Sequence, residues 1–416
     1  MDKKRLLMIT GFILFSLGMG YAIYFVFFRT TPPPTEIDSS ATDTFTNGTF
    51  PSIGSAGTSQ NNGNSASNNS NNTSSNETDT GIDPVIANPI NTSPSQTPER
   101  LTQVIDRRVV GVNTSIDTKF YNTQDGKFYR LDATGNPVPI SEQVFYNVQN
   151  VVWSPQNNSS IIEYPDGSNI YYNFATKEQV TLPRHWEGFS FSPGGELIAA
   201  KSVGQSPENR WLISANPNGS EIKLIEPLGV NDKKVTVDWS PNQQVIAFAR
   251  TGEPLGDDRQ QVLLLGQNRE NFKGLIVEGR GLETKWSKQG TKLLHSVYSA
   301  NSDFKPELWI VDATPDSVGA NRKLLNVATW ANKCTMADER FAYCGVPDKL
   351  DTGAGFAPLI ANNTADHLYR IDTLTGLKTE LPLDRTYTID TITVSPDGNS
   401  LLFTDKNQAG LFKLNL

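Results

Sequence analysis

The sequence predicts an all-β fold built by repetition: a seven-bladed β-propeller, with six blades as the competing count. Three observations carry this. A tight Ser-Pro turn recurs at Val152-Trp153-Ser154-Pro155, Phe191-Ser192-Pro193-Gly194-Gly195, Asp238-Trp239-Ser240-Pro241, Lys285-Trp286-Ser287-Lys288 and Val394-Ser395-Pro396-Asp397-Gly398. A short apolar run follows each copy: Ile161-Ile162, Leu197-Ile198-Ala199, Val245-Ile246-Ala247-Phe248, Leu293-Leu294 and Leu401-Leu402-Phe403. Clear neighbours stand 38 to 48 residues apart, a spacing that suits a four-stranded blade.

Before the repeats, Leu6 to Phe28 is an uncharged apolar run of 23 residues behind Lys3, Lys4 and Arg5. As a helix it measures about 35 Å, enough to cross a bilayer. A cleaved signal peptide would carry an apolar stretch of only about 7–15 residues and a small-residue cleavage site. This run is longer and ends in Tyr24-Phe25-Val26-Phe27-Phe28. The expectation is an uncleaved single-pass signal-anchor. Residues 1–5 are then cytoplasmic, 6–28 cross the membrane, and the rest lies outside the cytoplasm by the positive-inside rule.

Residues 29–98 read as a disordered linker. Residues 31–98 hold no Lys or Arg and six acids among Ser, Asn, Thr, Gly and Pro. Such a segment has too little apolar surface to offset its ordering entropy. A coil of about 70 residues spans roughly 45–50 Å on average.

Residues 99–416 form the expected propeller. In each unit the aromatic or Val ends a first strand, Pro fixes φ in the turn, and Gly accepts positive φ. Third strands read as Asn169-Ile170-Tyr171-Tyr172, Trp211-Leu212-Ile213, Gln261-Val262-Leu263-Leu264 and Leu308-Trp309-Ile310-Val311. Blade one is Val109 to Glu142, without the turn motif, and blade six runs from Ala328 to about Leu383. Blade seven reaches only three strands, ending at Leu411-Phe412-Lys413-Leu414. Arg100 to Ile105 is the expected fourth strand, closing the ring and removing an exposed sheet edge.

These copies resemble the TolB-type, WD-repeat-like β-propeller repeat, whose blades carry a W-S-P-D-G-like turn between their first two strands. The resemblance covers essentially all of residues 99–416. It implies the fold and no single function, because propellers with this repeat serve many roles. Two features depart from the pattern: Lys288 stands in place of Pro in blade five, and blade six has no Ser-Pro turn.

The cysteines lie in that atypical blade. In Cys334 to Cys344, Asp338-Glu339-Arg340 can form a three-residue hairpin turn. Ala337 then opposes Phe341, and counting outward sets Cys334 against Cys344. The expectation is a disulfide, consistent with a location outside the cytoplasm; two reduced, buried cysteines are the alternative.

The net charge of −8 divides as +3, −6 and −5 over residues 1–30, 31–98 and 99–416. No basic run offers to neutralise phosphates, so nucleic acid is not an expected partner. The three histidines, His185, His295 and His367, fall in different blades without metal-ligand spacing, and neither a metal nor another cofactor is expected. Gly188 to Ser192 begins like a nucleophile elbow but lacks the second Gly. Gly256-Asp257-Asp258-Arg259 lacks the ligand spacing of a calcium loop. No catalytic residue is assigned, and the chain is not expected to be an enzyme.

Loop lengths point elsewhere. Connections between second and third strands share a face of the disc with those between blades. They are short in blades one, two and seven. They are long in blades three to six: 202–209, 251–259, 298–306 and 346–365. Long loops are costly to order and often bind. Arg250, Glu253, Asp257, Asp258, Arg259, Tyr298, Phe304, Lys305, Lys349, Asp351 and Phe356 supply charge and aromatic anchors there. The resulting expectation is a non-catalytic binding module for an envelope or extracellular protein. Recognition of a cell-wall glycan or other carbohydrate is the alternative, and an enzyme using propeller-loop residues a third reading. A glycan binder predicts aromatics lining a groove or the channel. An enzyme predicts converging, shielded acid and base groups.

Overall fold

The computed structural model describes residues 101–416 apart from Asp257 and Asn271. The expected membrane span at 6–28 and linker at 29–98 lie outside the described residues, as does Asp257. Within the described residues the chain forms seven four-stranded antiparallel sheets. Their innermost strands are Val109–Asn113, Asn150–Trp153, Trp186–Phe191, Val235–Val237, Arg280–Trp286, Cys334–Met336 and Ile389–Val394. Inner strands of neighbouring blades meet at every junction but that of blades four and five, which are joined through a shared apolar core, and the inner strand of blade one also meets that of blade seven, so the ring is closed. Six blades are thereby excluded.

The recurrent serine has a definite task. Ser192, Ser240, Ser287 and Ser395 each accept, at the hydroxyl oxygen, the backbone N–H five residues on, at 2.9–3.1 Å. The hydroxyl closes the turn from inside, where a backbone donor would otherwise be orphaned. Gly195 and Gly398 take φ of +79° and +75°, which explains glycine at those positions.

Packing between blades makes the core. Ile161, Tyr171, Trp186, Phe189, Ile198 and Ile213 join blade two to blade three. Tyr121, Phe128, Phe145, Trp153, Tyr172 and Phe174 join blade one to blade two, with edge-to-face and stacked rings 5.0–5.6 Å apart. Blade one thus forms without the turn motif because its aromatics pack against the next blade.

Leu101–Ile105 pairs antiparallel with Leu411–Asn415, with Leu101 opposite Leu414 and Ile105 opposite Leu411. The fourth strand of blade seven therefore comes from the N-terminal side of blade one. In blade six, Ala337 N–H donates to the Phe341 carbonyl at 2.9 Å, and the Asp338 carboxylate accepts from the N–H groups of Arg340 and Phe341 at 2.7 Å. The aspartate does locally what Ser-Pro does elsewhere. Cys334 lies opposite Cys344, and a disulfide joins them.

Candidate functional site

The residues of the long loops fall into two groups. The loop of blade six is tied to that of blade five: Gly353 and Gly355 donate their N–H groups to the carbonyls of Asp303 and Phe304 at 3.0 and 2.7 Å. This brings Tyr298, Phe304 and Phe356 together, with ring centroids 5.9 Å apart. Phe356 is 62% exposed, beside the exposed Leu359 and Ile360 in sequence. Lys305 sits 3.9 Å from Asp303, and Lys349 and Asp351 are exposed nearby in sequence. The residues of blade four stand apart from this group. Arg250 donates to the Lys233 carbonyl at 3.0 Å and Arg259 pairs with Glu278 at 3.0 Å. The Glu253 carbonyl accepts the Gln261 N–H at 3.1 Å, the Glu253 N–H donates to the Gln261 side-chain oxygen at 3.4 Å, and Asp258 belongs to the same turn. These groups brace their own blade.

A shaped polar cavity lies on the same face at the junction of blades two and three, where the blade-two loop is short. It holds about 410 Å³. Glu163 ends the second strand of blade two, and Glu187 lies near the start of the inner strand of blade three. Both line the cavity, with Asn150, Tyr164, Arg184 and Trp186. Asn150 opposes Glu163 in the sheet and donates to its carboxylate at 2.5 Å. Burial pushes the Glu163 carboxyl above the usual carboxylate range; the Asn150 hydrogen bond opposes this and the Glu187 charge adds to it. Glu187 has a different partner: Lys201 lies 2.9 Å from its carboxylate. Lys201 is itself held by the Asp232 carbonyl at 3.3 Å.

The rim is also fixed. Arg184 donates to Asp166 at 2.6 Å and to the Ser168 hydroxyl at 3.1 Å. Asn169 donates to the Trp186 carbonyl at 2.8 Å, pinning the inner strand of blade three against blade two. Burial raises the Tyr164 phenol, with Tyr121 and Asp166 adding to it. Two carboxyls in one cavity thus have unlike surroundings, one desolvated and amide-bonded, the other ion-paired. Such a division separates a proton donor from a proton acceptor.

Sequence reading missed Glu163 and Glu187, which stand 24 residues apart on neighbouring blades and form no motif. The signal that could have found Glu163 is its position. It closes the buried run Ile161-Ile162 with a charge at the loop end of the strand. Of the histidines, burial pushes His295 down to about 3. His367 lies 2.7 Å from Glu380 and 3.3 Å from Asp348. Among the described residues no group of three or more His, Cys, Asp or Glu is placed to hold a metal ion.

The fold and this cavity define a closed seven-bladed propeller with an acid pair on its loop face. No protein-family model matches the chain. A search of curated proteins finds no match either. Solved structures do match. Oligogalacturonate lyase from Vibrio parahaemolyticus is similar over 77% of this chain and 94% of its own, at 14% identity and a TM-score of 0.51. A streptogramin B lyase is similar over 76% of this chain and 97% of its own, at 12% identity and a TM-score of 0.50. TolB from Acinetobacter baumannii matches over 67% of this chain and 64% of its own, at 11% identity and a TM-score of 0.44.

At these identities the likeness establishes the fold. It also corrects two expectations, that the chain is a non-catalytic binding module for a protein and that it is not an enzyme. Both were inferred from missing catalytic motifs and from long loops suited to binding. Two structures sharing this fold are named as lyases, so long loops on a propeller do not exclude catalysis. The motif argument fails physically as well, because the packing of consecutive blades places in one cavity acids that no local sequence pattern connects.

Proposed function

We propose that this chain is a carbohydrate-acting propeller whose cavity between blades two and three cleaves glycosidic bonds by acid–base catalysis. The observation that carries the reading is the pair of unlike carboxyls, Glu163 desolvated and Glu187 ion-paired with Lys201. Amide, phenol, indole and guanidinium groups in the same wall suit a hydroxyl-rich ligand. Glu163 gives its proton to the departing glycosidic oxygen. Glu187 takes a proton, either from an attacking water or from a carbon beside a uronate carboxylate, and Arg184 at the rim suits that carboxylate's charge. The first route yields a new reducing end by hydrolysis, and the second an unsaturated sugar by elimination.

The test is to incubate the full-length protein with neutral and uronate-containing oligosaccharides. Reducing ends and unsaturated-sugar absorbance are then followed separately. Glu163→Gln keeps the Asn150 contact in reach but removes the proton, and turnover should fall by about a hundredfold or more. Equal turnover in Glu163→Gln, or no turnover of any saccharide by the folded protein, refutes the reading.

The same proposal includes location. An anchor at 6–28 with the propeller outside the cytoplasm follows from the basic residues before the apolar run. The Cys334–Cys344 disulfide supports it, since such bonds persist in oxidising compartments.

A further inference from the structure

The axial channel holds a second cavity of about 480 Å³, on the side where the Ser-Pro turns lie. Blades one, four, five, six and seven all contribute to its wall. Its only charged lining groups among the described residues are Lys285 and Lys288. Both are exposed; neither has a carboxylate within ion-pair distance among the described residues, although Lys285 acts electrostatically on the buried Asp238. The rest of the polar wall is hydroxyl and amide, including Asn113, Ser115, Thr391 and Thr393. This is unusual for a folded region whose net charge is −5. Lys288 is also the residue that breaks the repeat, standing where blades two, three, four and seven carry Pro. The turn does not need it. Ser287 closes the turn as its counterparts do, and Glu339 of blade six accepts the Gln289 N–H at 2.6 Å.

An ammonium with no close ion-pair partner in a concave site attracts an anion more strongly than one on an open surface. Hydroxyl and amide donors around it suit the oxygens of that anion. We propose that the turn-side half of the axial channel binds an oxyanionic group, carboxylate or phosphate, between Lys285 and Lys288. Asp238 offsets this charge only in part at neutral pH, because burial pushes its carboxyl up to about 7, which leaves about half of it protonated there. The site lies apart from Glu163 and Glu187, sharing no lining residue with their cavity.

The experiment is titration calorimetry on the full-length protein with inorganic phosphate and, separately, D-glucuronate. The expected result is saturable binding of at least one probe, weakened by raised salt. Binding of phosphate alone assigns a phosphate group, and of glucuronate alone a carboxylate. Lys288→Pro restores the repeat and is expected to fold; it should weaken binding about tenfold, as should Lys285→Gln. Binding by the folded double variant at wild-type affinity overturns the proposal. So does the absence of saturable binding of both probes to the wild-type protein.

Discussion

Asp238 directly follows the inner strand of blade four, with its carboxyl pushed up to about 7 by burial, against the opposing Lys285 charge and Thr284 hydroxyl. A carboxyl raised in the folded state binds more protons folded than unfolded between about pH 4 and pH 7. Its stabilising contribution is therefore complete below the unfolded pKa and is lost as pH rises through 7. The loss approaches about 4 kcal/mol at most. Asp238→Asn keeps the shape and removes the titration. Denaturant melts of the wild-type protein should lose stability between pH 4 and pH 8 more steeply than melts of the variant. Parallel pH curves would show that Asp238 is solvated enough to titrate normally. Glu163 titrates in the same direction, so the variant should keep a shallower slope of its own.

At the scale of the element, closure by Leu101–Ile105 is the junction most exposed to test. Ile105 is 8% exposed and its partner Leu411 is fully buried. Removing the strand uncovers these apolar groups, costing about 3 kcal/mol or more, and frees a row of backbone donors and acceptors. A protein lacking residues 1–98 should melt cooperatively. One lacking residues 1–105 should melt several degrees lower or aggregate, and matching melts would refute the role of the strand. This closure was legible in sequence because a count of strands came out one short. The turns were legible because Ser, Pro and Gly act within five residues of one another, so local order carries the whole cause. The acid pair was not legible for the opposite reason. Glu163 and Glu187 line one cavity because blade three packs against blade two, where Asn169 holds its inner strand, a contact that no local pattern encodes. The aromatic group was partly legible: long loops marked Tyr298, Phe304 and Phe356. Nothing in the sequence indicated that Arg250 and Arg259 would turn back to brace blade four.

At the scale of the whole molecule, location and fold are coupled through one covalent bond. Cys334 and Cys344 are fully buried and bonded to each other in blade six, the blade that lacks the Ser-Pro turn. Closing so short a loop stabilises by up to about 3 kcal/mol in the chain-entropy account. That gain exists only where the thiols are oxidised. The proposed location rests independently on Lys3, Lys4 and Arg5 before an apolar run and an acid-only stretch after it. The two lines make a joint prediction. Protease added to intact spheroplasts should cut within residues 29–98 and release a fragment of propeller size. Non-reducing peptide mapping of that fragment should recover the two cysteine peptides linked. The same chain made without residues 1–28 in a reducing cytosol should carry free thiols and melt lower, and oxidation should restore the difference. A fragment protected from external protease, with free thiols in its native compartment, would reverse the topology. A fragment that is released but reduced would leave the topology standing and remove the disulfide as its support.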